Sequence, residues 1–187
     1  MFLNFLKKFL LKRKLKKAFA FINDQFSTGK IKTVGLLIDE SYFTDKNQLV
    51  EDLQANGIKK DDITLLLYHD KDKKRDFNFA SFSLKGVSWK GIIDNQDIVA
   101  FKAKKFDLLI SYYDVEKVPL LLVTQRSQAA FKLGFSSIDK RLNHLMITQG
   151  ISRILRNFIK ILKQITRLLD YLMFMMTNSR KKVFLKI

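Results

Sequence analysis

Residues 33–68 read TVGLLIDESYFTDKNQLVEDLQANGIKKDDITLLLY, and this stretch decides the fold. It begins and ends with continuous apolar runs, Thr33–Ile38 and Ile63–Tyr68, a pattern typical of strands buried on both faces of a parallel sheet. Between them lies a helical pattern that Asp45 is placed to cap and Gly57 is placed to end. The stretch therefore predicts a strand-helix-strand unit.

The rest of the middle of the chain extends this unit into a sheet. Asp107–Tyr112 (DLLISY) repeats the buried-strand pattern. By contrast, Phe77–Leu84 and Val87–Ile93 alternate apolar and polar residues around Lys85-Gly86, which predicts an antiparallel hairpin. We therefore expect a mixed sheet with a hairpin insertion.

Capping residues and short apolar runs supply the remaining elements. Asn95 or Asp94 can cap a helix, and proline suits the first turn of another because the NH it lacks would be unpaired there. The predicted elements are a helix to Lys104, a helix from Pro119 to about Ala129, and strands at Phe131–Phe135 and Leu145–Ile147. This alternation predicts an α/β fold, a Rossmann-like three-layer sandwich with amphipathic helices at both ends.

The positive charge is concentrated at the two ends of the chain. The formal net charge is +17, residues 1–23 contain seven Lys or Arg and no acid, and residues 24–139 are balanced. Basic, apolar-rich ends around a neutral body indicate a globular domain with attachment helices. We predict a basic amphipathic helix over 1–23, one α/β domain over 24–165, and a basic, apolar helical extension over 166–187.

The N-terminal segment has the wrong order for an export signal. Its apolar residues come first and the basic residues follow, so we expect a retained helix on a cytoplasmic protein. A chain without cysteine fits a reducing compartment. Lysines and arginines near an anionic bilayer favour binding to it. The predicted membrane-surface residues are Lys7, Lys8, Lys12, Arg13, Lys14, Lys16 and Lys17.

The C-terminal segment has an amphipathic pattern over 151–176, with apolar residues at steps of four and three. From Leu168 onward it is apolar nearly all round, which predicts that a membrane surface, a partner helix or the N-terminal helix helps to cover it. The longest apolar run, Leu168–Met176, has nine residues and includes Asp170 and Tyr171, so it is too short to span a bilayer.

Candidate site residues follow the predicted strands, because ligands of open α/β sheets collect beyond the carboxyl ends of the strands. A carboxylate, an imidazole and hydroxyls could converge there on a polar ligand, although strand ends are also polar simply because they leave the core. The candidates are Asp39, Glu40 and Ser41, then His69, Asp70 and Asp72, then Ser111, Tyr112 and Asp114.

The metal and phosphate motifs are weak. Asp70 and Asp72 have the spacing of a divalent-cation pair, but Lys71, Lys73 and Lys74 lie among them, which favours a solvated loop. The chain contains no glycine-rich phosphate-binding motif. We expect no bound cofactor and no metal.

Two stretches carry a resemblance to known proteins. The sequence FDLLI at 106–110, followed by a helix and then SQAAFKLGF at 127–135, resembles a family of small Bacteroidota proteins with a domain of unknown function. SWKG at 88–91 and LMI at 145–147 add to this resemblance, which covers about residues 1–165 and implies no activity. The same pattern is similar to the N-terminal half of heptosyltransferase-type glycosyltransferases.

Three functions remain open. The first is a membrane-surface-associated α/β domain that acts as a binding or interaction module, with an anionic membrane or a partner helix as partner. The second is a small transferase using a nucleotide or sugar phosphate, with Asp39, His69, Asp70 and Asp72 in a strand-end crevice. The third is nonspecific nucleic-acid binding through the basic ends.

Overall fold

A computed structural model describes residues 2–18, 31–70, 79–88 and 95–148, with the side chains of residues 9–17 in the first range. In chain order its helices and strands are α1 (Phe2–Ala18), β1 (Val34–Asp39), α2 (Lys46–Ala55), β2 (Ile63–His69), β3 (Ser81–Ser83), α3 (Gln96–Ala103), β4 (Leu108–Tyr112), α4 (Val118–Arg126), β5 (Phe131–Phe135) and β6 (Leu145–Ile147). The predicted C-terminal helix and extension lie outside these residues.

The six strands form one open sheet in the order β3-β2-β1-β4-β5-β6, and every pairing between neighbours is parallel. This strand order is that of a doubly wound, Rossmann-like sheet. The predicted α/β fold class is therefore confirmed, but the mixed sheet is wrong within the described residues.

In the described residues, a parallel edge strand lies where the first strand of the predicted hairpin is expected. β3 runs parallel to β2, with Leu67 opposite Ser81, and Lys85-Gly86 lies in a short 3-10 helix, Leu84–Gly86. Alternation of apolar and polar residues indicates that one face of a strand is exposed. An edge strand can have such a face whether it runs parallel or antiparallel to its neighbour. The connection from β2 to β3 is about as long as a parallel crossover requires. Residues 89–93 of the second predicted strand lie outside the described residues.

The central strands and the helix ends follow their sequence signals. All residues of β1 and β4 are buried, as expected of strands covered on both faces. After α2, Gly57 takes a φ of 92°, which favours glycine, and its N–H donates to the Gln54 carbonyl at 2.9 Å. The Asn95 side chain accepts the Ile98 N–H at 3.1 Å and caps α3.

Helices cover both faces of the sheet. The chain runs one way along the sheet from β1 to β2 and the other way from β3 to β5, so right-handed crossovers put α2 on one face and α3 and α4 on the other. α3 contacts β2, β3 and α4, in agreement with this placement. α1 packs against α4, and its Leu11 and Leu15 belong to the hydrophobic core.

Candidate functional site

The strand order reverses between β1 and β4, and the carboxyl ends of the strands at this reversal are where ligands of such sheets bind. Asp39 ends β1, and His69 ends β2. The structure brings these two ends together, since the Asp70 N–H donates to Ser41 Oγ at 3.0 Å. The prediction that Asp39, Glu40, Ser41, His69 and Asp70 share one edge therefore agrees with the geometry. Asp72 lies outside the described residues.

Lys117 crosses this edge from the loop before α4. Its Nζ lies 2.7 Å from Asp39 Oδ2 and 2.6 Å from Asp70 Oδ2. Burial alone would lower the pKa of Lys117, but the two carboxylates outweigh burial and raise it. Asp39 is only 2% exposed, so a partner of opposite charge is needed to stabilise its ionised form. We call the group Asp39, Asp70 and Lys117 the switch-point triad.

Two tyrosine rings lie beside the Lys117 ammonium of the triad. Lys117 Nζ lies 4.4 Å from the ring centre of Tyr42 and 5.2 Å from that of Tyr68, within the range of cation–π attraction. Tyr68 Oη also donates to Asp70 Oδ1 at 3.1 Å. Burial, followed by the charge of Asp70 and this hydrogen bond, raises the pKa of Tyr68 well above its usual range. Tyr68 is therefore a hydrogen-bond donor here and is not poised to act as a base.

A second ion-pair group lies beside the triad. Glu40 pairs with Lys46 at the start of α2, and its other oxygen lies 3.1 Å from His69 Nδ1. Lys46 Nζ also lies 4.8 Å from the ring centre of Phe79. Sequence reasoning missed both Lys46 and Lys117. Pro119 predicts the start of a helix, and that signal places Lys117 in the loop after a strand end. Lys117 could therefore have been predicted to lie at this edge of the sheet.

The third set of candidates is used inside the fold. Ser111 Oγ lies 3.1 Å from Thr124 Oγ1, and Tyr113 Oη lies 2.7 Å from the same oxygen, so these hydroxyls tie β4 to α4. The Tyr112 ring packs against Phe43, and burial raises the pKa of Tyr112 to about 12. Ser111 and Tyr112 therefore serve the core of the domain, while the Asp114 carbonyl accepts a hydrogen bond from Ser137 at 2.8 Å.

Within the described residues, the crevice offers no group of three metal ligands and no glycine-rich loop for phosphate. A phosphate site needs backbone N–H groups free of nearby acids, whereas the loop after β1 begins with Asp39 and Glu40. Within the described ranges no three His, Cys, Asp or Glu residues are grouped to hold a metal ion. Both oxygens of Asp70 are already engaged, by Tyr68 and by Lys117. The carboxylates of Asp39 and Asp70 are therefore engaged with Lys117 and are not presented as a free acidic pair.

A buried lysine lies at the opposite end of α4. Lys132 Nζ donates to the Thr124 carbonyl at 2.7 Å and to the Gln125 carbonyl at 3.3 Å, so it caps the last turn of the helix. Burial lowers the pKa of Lys132 to about 8. Unlike Lys117, it has only neutral oxygens as partners in these contacts, which explains why the two lysines shift in opposite directions.

The inner face of α1 docks onto the domain. Leu11 and Leu15 are buried, and Lys12 Nζ and Lys16 Nζ each lie 2.8 Å from Glu116 Oε2. Burial tends to raise the pKa of Glu116, but the two lysines outweigh it and lower the pKa below its usual value. We call Leu11, Lys12, Leu15 and Lys16 the inner face of α1. Two of the predicted membrane-surface lysines are thus paired within the protein.

The outer face of α1 is turned to solvent. Phe9 is 56% exposed and Leu10 is 47% exposed, and the exposed basic residues on this side are Arg13, Lys14 and Lys17. We call these five residues the outer face of α1. Each face therefore combines apolar and basic side chains, which differs from a single apolar stripe opposite a charged one. Nothing is described for the side chains of Lys7 and Lys8.

Together, the strand order and the helices on both faces define the class: this is a Rossmann-like α/β domain without a nucleotide-binding loop at its switch point. The chain belongs to a family of unknown function, DUF6913, whose model matches residues 4–169. The match includes most of α1. No curated protein and no solved structure matches the chain. None of the described helices is long and apolar enough to cross a membrane.

Proposed function

We propose that this protein is a peripheral α/β domain that binds an anionic membrane surface through the outer face of α1 and serves there as a binding or interaction module. The surface would be the inner face of a cytoplasmic membrane, in keeping with the resemblance of the sequence to proteins of Bacteroidota. The observation that carries the proposal is the outer face itself, with two exposed large apolar side chains next to three exposed cations on one helix.

This composition suits the boundary between lipid headgroups and acyl chains. A helix that lies in the membrane plane inserts aromatic and aliphatic side chains while its basic residues contact lipid phosphates. Each Lys or Arg near an anionic bilayer contributes about 1 kcal/mol. Arg13, Lys14 and Lys17 together would then contribute about 3 kcal/mol, and Phe9 and Leu10 would add apolar burial.

The inner face supports the proposal because it fixes the orientation of the helix. Leu11 and Leu15 hold α1 on the domain, and Glu116 pairs with Lys12 and Lys16. The outer face is therefore presented without a need to unfold the domain. Lipid binding would use the exposed cations, and the paired lysines would contribute less than their number in the sequence predicts.

The transferase alternative gains no support from the crevice. Of its four candidate residues, Asp39 and Asp70 pair with Lys117, and His69 lies against Glu40. The two described carboxylates of this set are thus engaged within the protein, and Asp72 lies outside the described residues. We favour the membrane-binding module because the outer face of α1 presents exposed apolar and basic side chains to a partner.

Sedimentation with lipid vesicles tests the proposal. We expect the full chain to bind vesicles of phosphatidylglycerol and phosphatidylcholine and to bind phosphatidylcholine vesicles far more weakly. Arg13→Gln with Lys14→Gln should weaken anionic binding about 30-fold, which corresponds to about 2 kcal/mol. Lys59→Gln with Lys60→Gln is the matched control, since both lysines are exposed and the loss of charge is the same.

Two results would count against the proposal. Equal binding to both kinds of vesicle would remove the role of anionic lipid, and an equal loss in both variants would show that net charge alone matters. A gel-shift assay with a mixed-sequence RNA covers the nucleic-acid alternative. Tighter binding to RNA than to anionic vesicles, unchanged by Phe9→Ser with Leu10→Ser, would favour phosphate contacts without apolar insertion.

A further inference from the structure

Glu116 and Lys117 are consecutive residues that hold two different parts of the protein. The backbone at Lys117 is extended, with φ −108° and ψ 131°, and successive side chains of an extended chain point to opposite sides. Glu116 pairs with Lys12 and Lys16 of α1, whereas Lys117 pairs with the carboxylates of the switch-point triad. One dipeptide therefore connects α1 to the crevice.

Lys117 lies across the place where a ligand of this fold would bind. It reaches from the loop before α4, past the end of β1, to Asp70 beyond β2. Its ammonium stabilises Asp39, which is 2% exposed, and removing one partner of a buried ion pair leaves an uncompensated charge. Opening the crevice therefore requires the Lys117 ammonium to leave both carboxylates, and a shift of the segment that carries Lys117 would draw it away.

The contacts of Glu116 restrain that segment. Glu116 Oε2 pairs with the ammonium groups of Lys12 and Lys16, and Glu116 Oε1 accepts a hydrogen bond from the Asp139 N–H at 3.1 Å. If α1 left the domain, Glu116 would lose its two cationic partners and keep the Asp139 contact. The segment before α4 would then be held less firmly, and Lys117 with it.

We propose that Lys117 is an internal plug of the switch-point crevice and that α1 keeps it in place through Glu116. Departure of α1 from the domain frees the plug and opens the carboxylate and tyrosine site. This departure is a step beyond the proposed membrane-bound state, in which Leu11 and Leu15 hold α1 on the domain. The coupling between α1 and the crevice is a property of the protein alone, so it is tested without lipid.

Hydrogen exchange of the full chain, followed by NMR, tests the coupling. The reporters are the Glu40 N–H, which donates to the Tyr68 carbonyl at 3.0 Å, and the Phe43 N–H, which donates to the Asp39 carbonyl at 3.1 Å. In Lys12→Gln with Lys16→Gln we expect both amides to exchange about tenfold faster, a change that corresponds to about 1.4 kcal/mol. Arg13→Gln with Lys14→Gln, on the outer face, should change them less than twofold.

The His144 N–H is the reference, because it donates to the Lys132 carbonyl at 2.8 Å near the amino end of β5, whereas the triad lies at the carboxyl ends of the strands. Its exchange rate should stay constant in both variants. An equal acceleration at His144 would mean general loosening and would overturn the coupling. Unchanged rates at Glu40 and Phe43 in the Lys12 and Lys16 variant would also overturn it.

The reverse experiment uses Lys117→Met, which removes the plug and keeps an apolar side chain of similar length. Because coupling between two sites is reciprocal, the amides of Lys12 and Leu15 should exchange faster by a similar factor. Exchange in α1 at the parental rate would contradict the proposal. Vesicle binding is measured separately, so a failure of the membrane proposal and a failure of this coupling give different results.

Discussion

The two faces of α1 have similar compositions but different surroundings. The inner face has two leucines and two lysines, and it is buried against the core and paired with Glu116. The outer face has Phe9, Leu10 and three cations, all exposed. An apolar side chain contributes to stability only where folding removes it from water, and a cation is available to a partner only where it is unpaired. The same residue types therefore stabilise the fold on one face, and on the other they are exposed, where we propose that they bind a membrane.

The largest expected effect is on stability. Leu11→Ala and Leu15→Ala should each lower the free energy of unfolding by about 2–5 kcal/mol, because each leaves a cavity in the core. Phe9→Ala and Leu10→Ala are the controls and should change it by no more than about 0.5 kcal/mol. Urea unfolding followed by circular dichroism measures all four. Similar losses on both faces would mean that α1 is buried all round and would remove the distinction between the faces.

The second effect is on lipid binding. Phe9→Ser with Leu10→Ser should weaken binding to anionic vesicles by about 2 kcal/mol, or about 30-fold, because apolar insertion is lost. Unfolding free energy should stay the same. The residual binding should also become more sensitive to salt, since only screened charge attraction remains. A variant that binds vesicles like the parent at every salt concentration would show that the outer face does not insert.

The third and smallest effect concerns pH and the inner face. The pKa of Glu116 is lowered in the folded protein, so its pairing stabilises the fold above its usual value of 4.5 and is lost as the pH falls through the folded pKa. Glu116→Gln should therefore lower the free energy of unfolding by about 1 kcal/mol at pH 7. It should have no effect at a pH below both the usual pKa of glutamate and the folded-state pKa of Glu116. The pKa of Asp139 is lowered to about 2, so Asp139 becomes protonated only in more acidic solution. Denaturant unfolding at a series of pH values decides the point; a cost that persists at low pH would contradict it.

Much of the sheet could be predicted from the sequence because the central strands are buried on both faces. Thr33–Ile38 and Ile63–Tyr68 contain apolar residues at consecutive positions. β1 begins and ends one residue later than predicted, and β2 ends one residue later. The direction of β3 could not be predicted, because alternation reports exposure and carries no information on which way the neighbouring strand runs. The division of the chain at residues 23 and 165 stays a prediction.

The candidate site was predicted only in part. Asp39, His69 and Asp70 follow strands, and strand ends that share an edge meet whatever their distance in sequence. Lys117 was missed because its partners depend on where the loop before α4 crosses the carboxyl edge of the sheet. That position depends in turn on how α4 packs. Likewise, the basic residues of α1 look equivalent in sequence, and the positions of Glu116 and Asp139 separate Lys12 and Lys16 from Arg13 and Lys14.

Insertion of the outer face into lipid is the most direct test of the central claim. The chain has no cysteine, so Leu10→Cys gives a unique site for a nitroxide label, and Lys105→Cys gives a control site on the exposed surface of the domain. Electron paramagnetic resonance with a water-soluble relaxing agent then reports the depth of each label on anionic vesicles. We expect the label at position 10 to be shielded from the agent and the label at position 105 to remain accessible. A label at position 10 that stays as accessible as the control, with the protein bound to the vesicles, would contradict it.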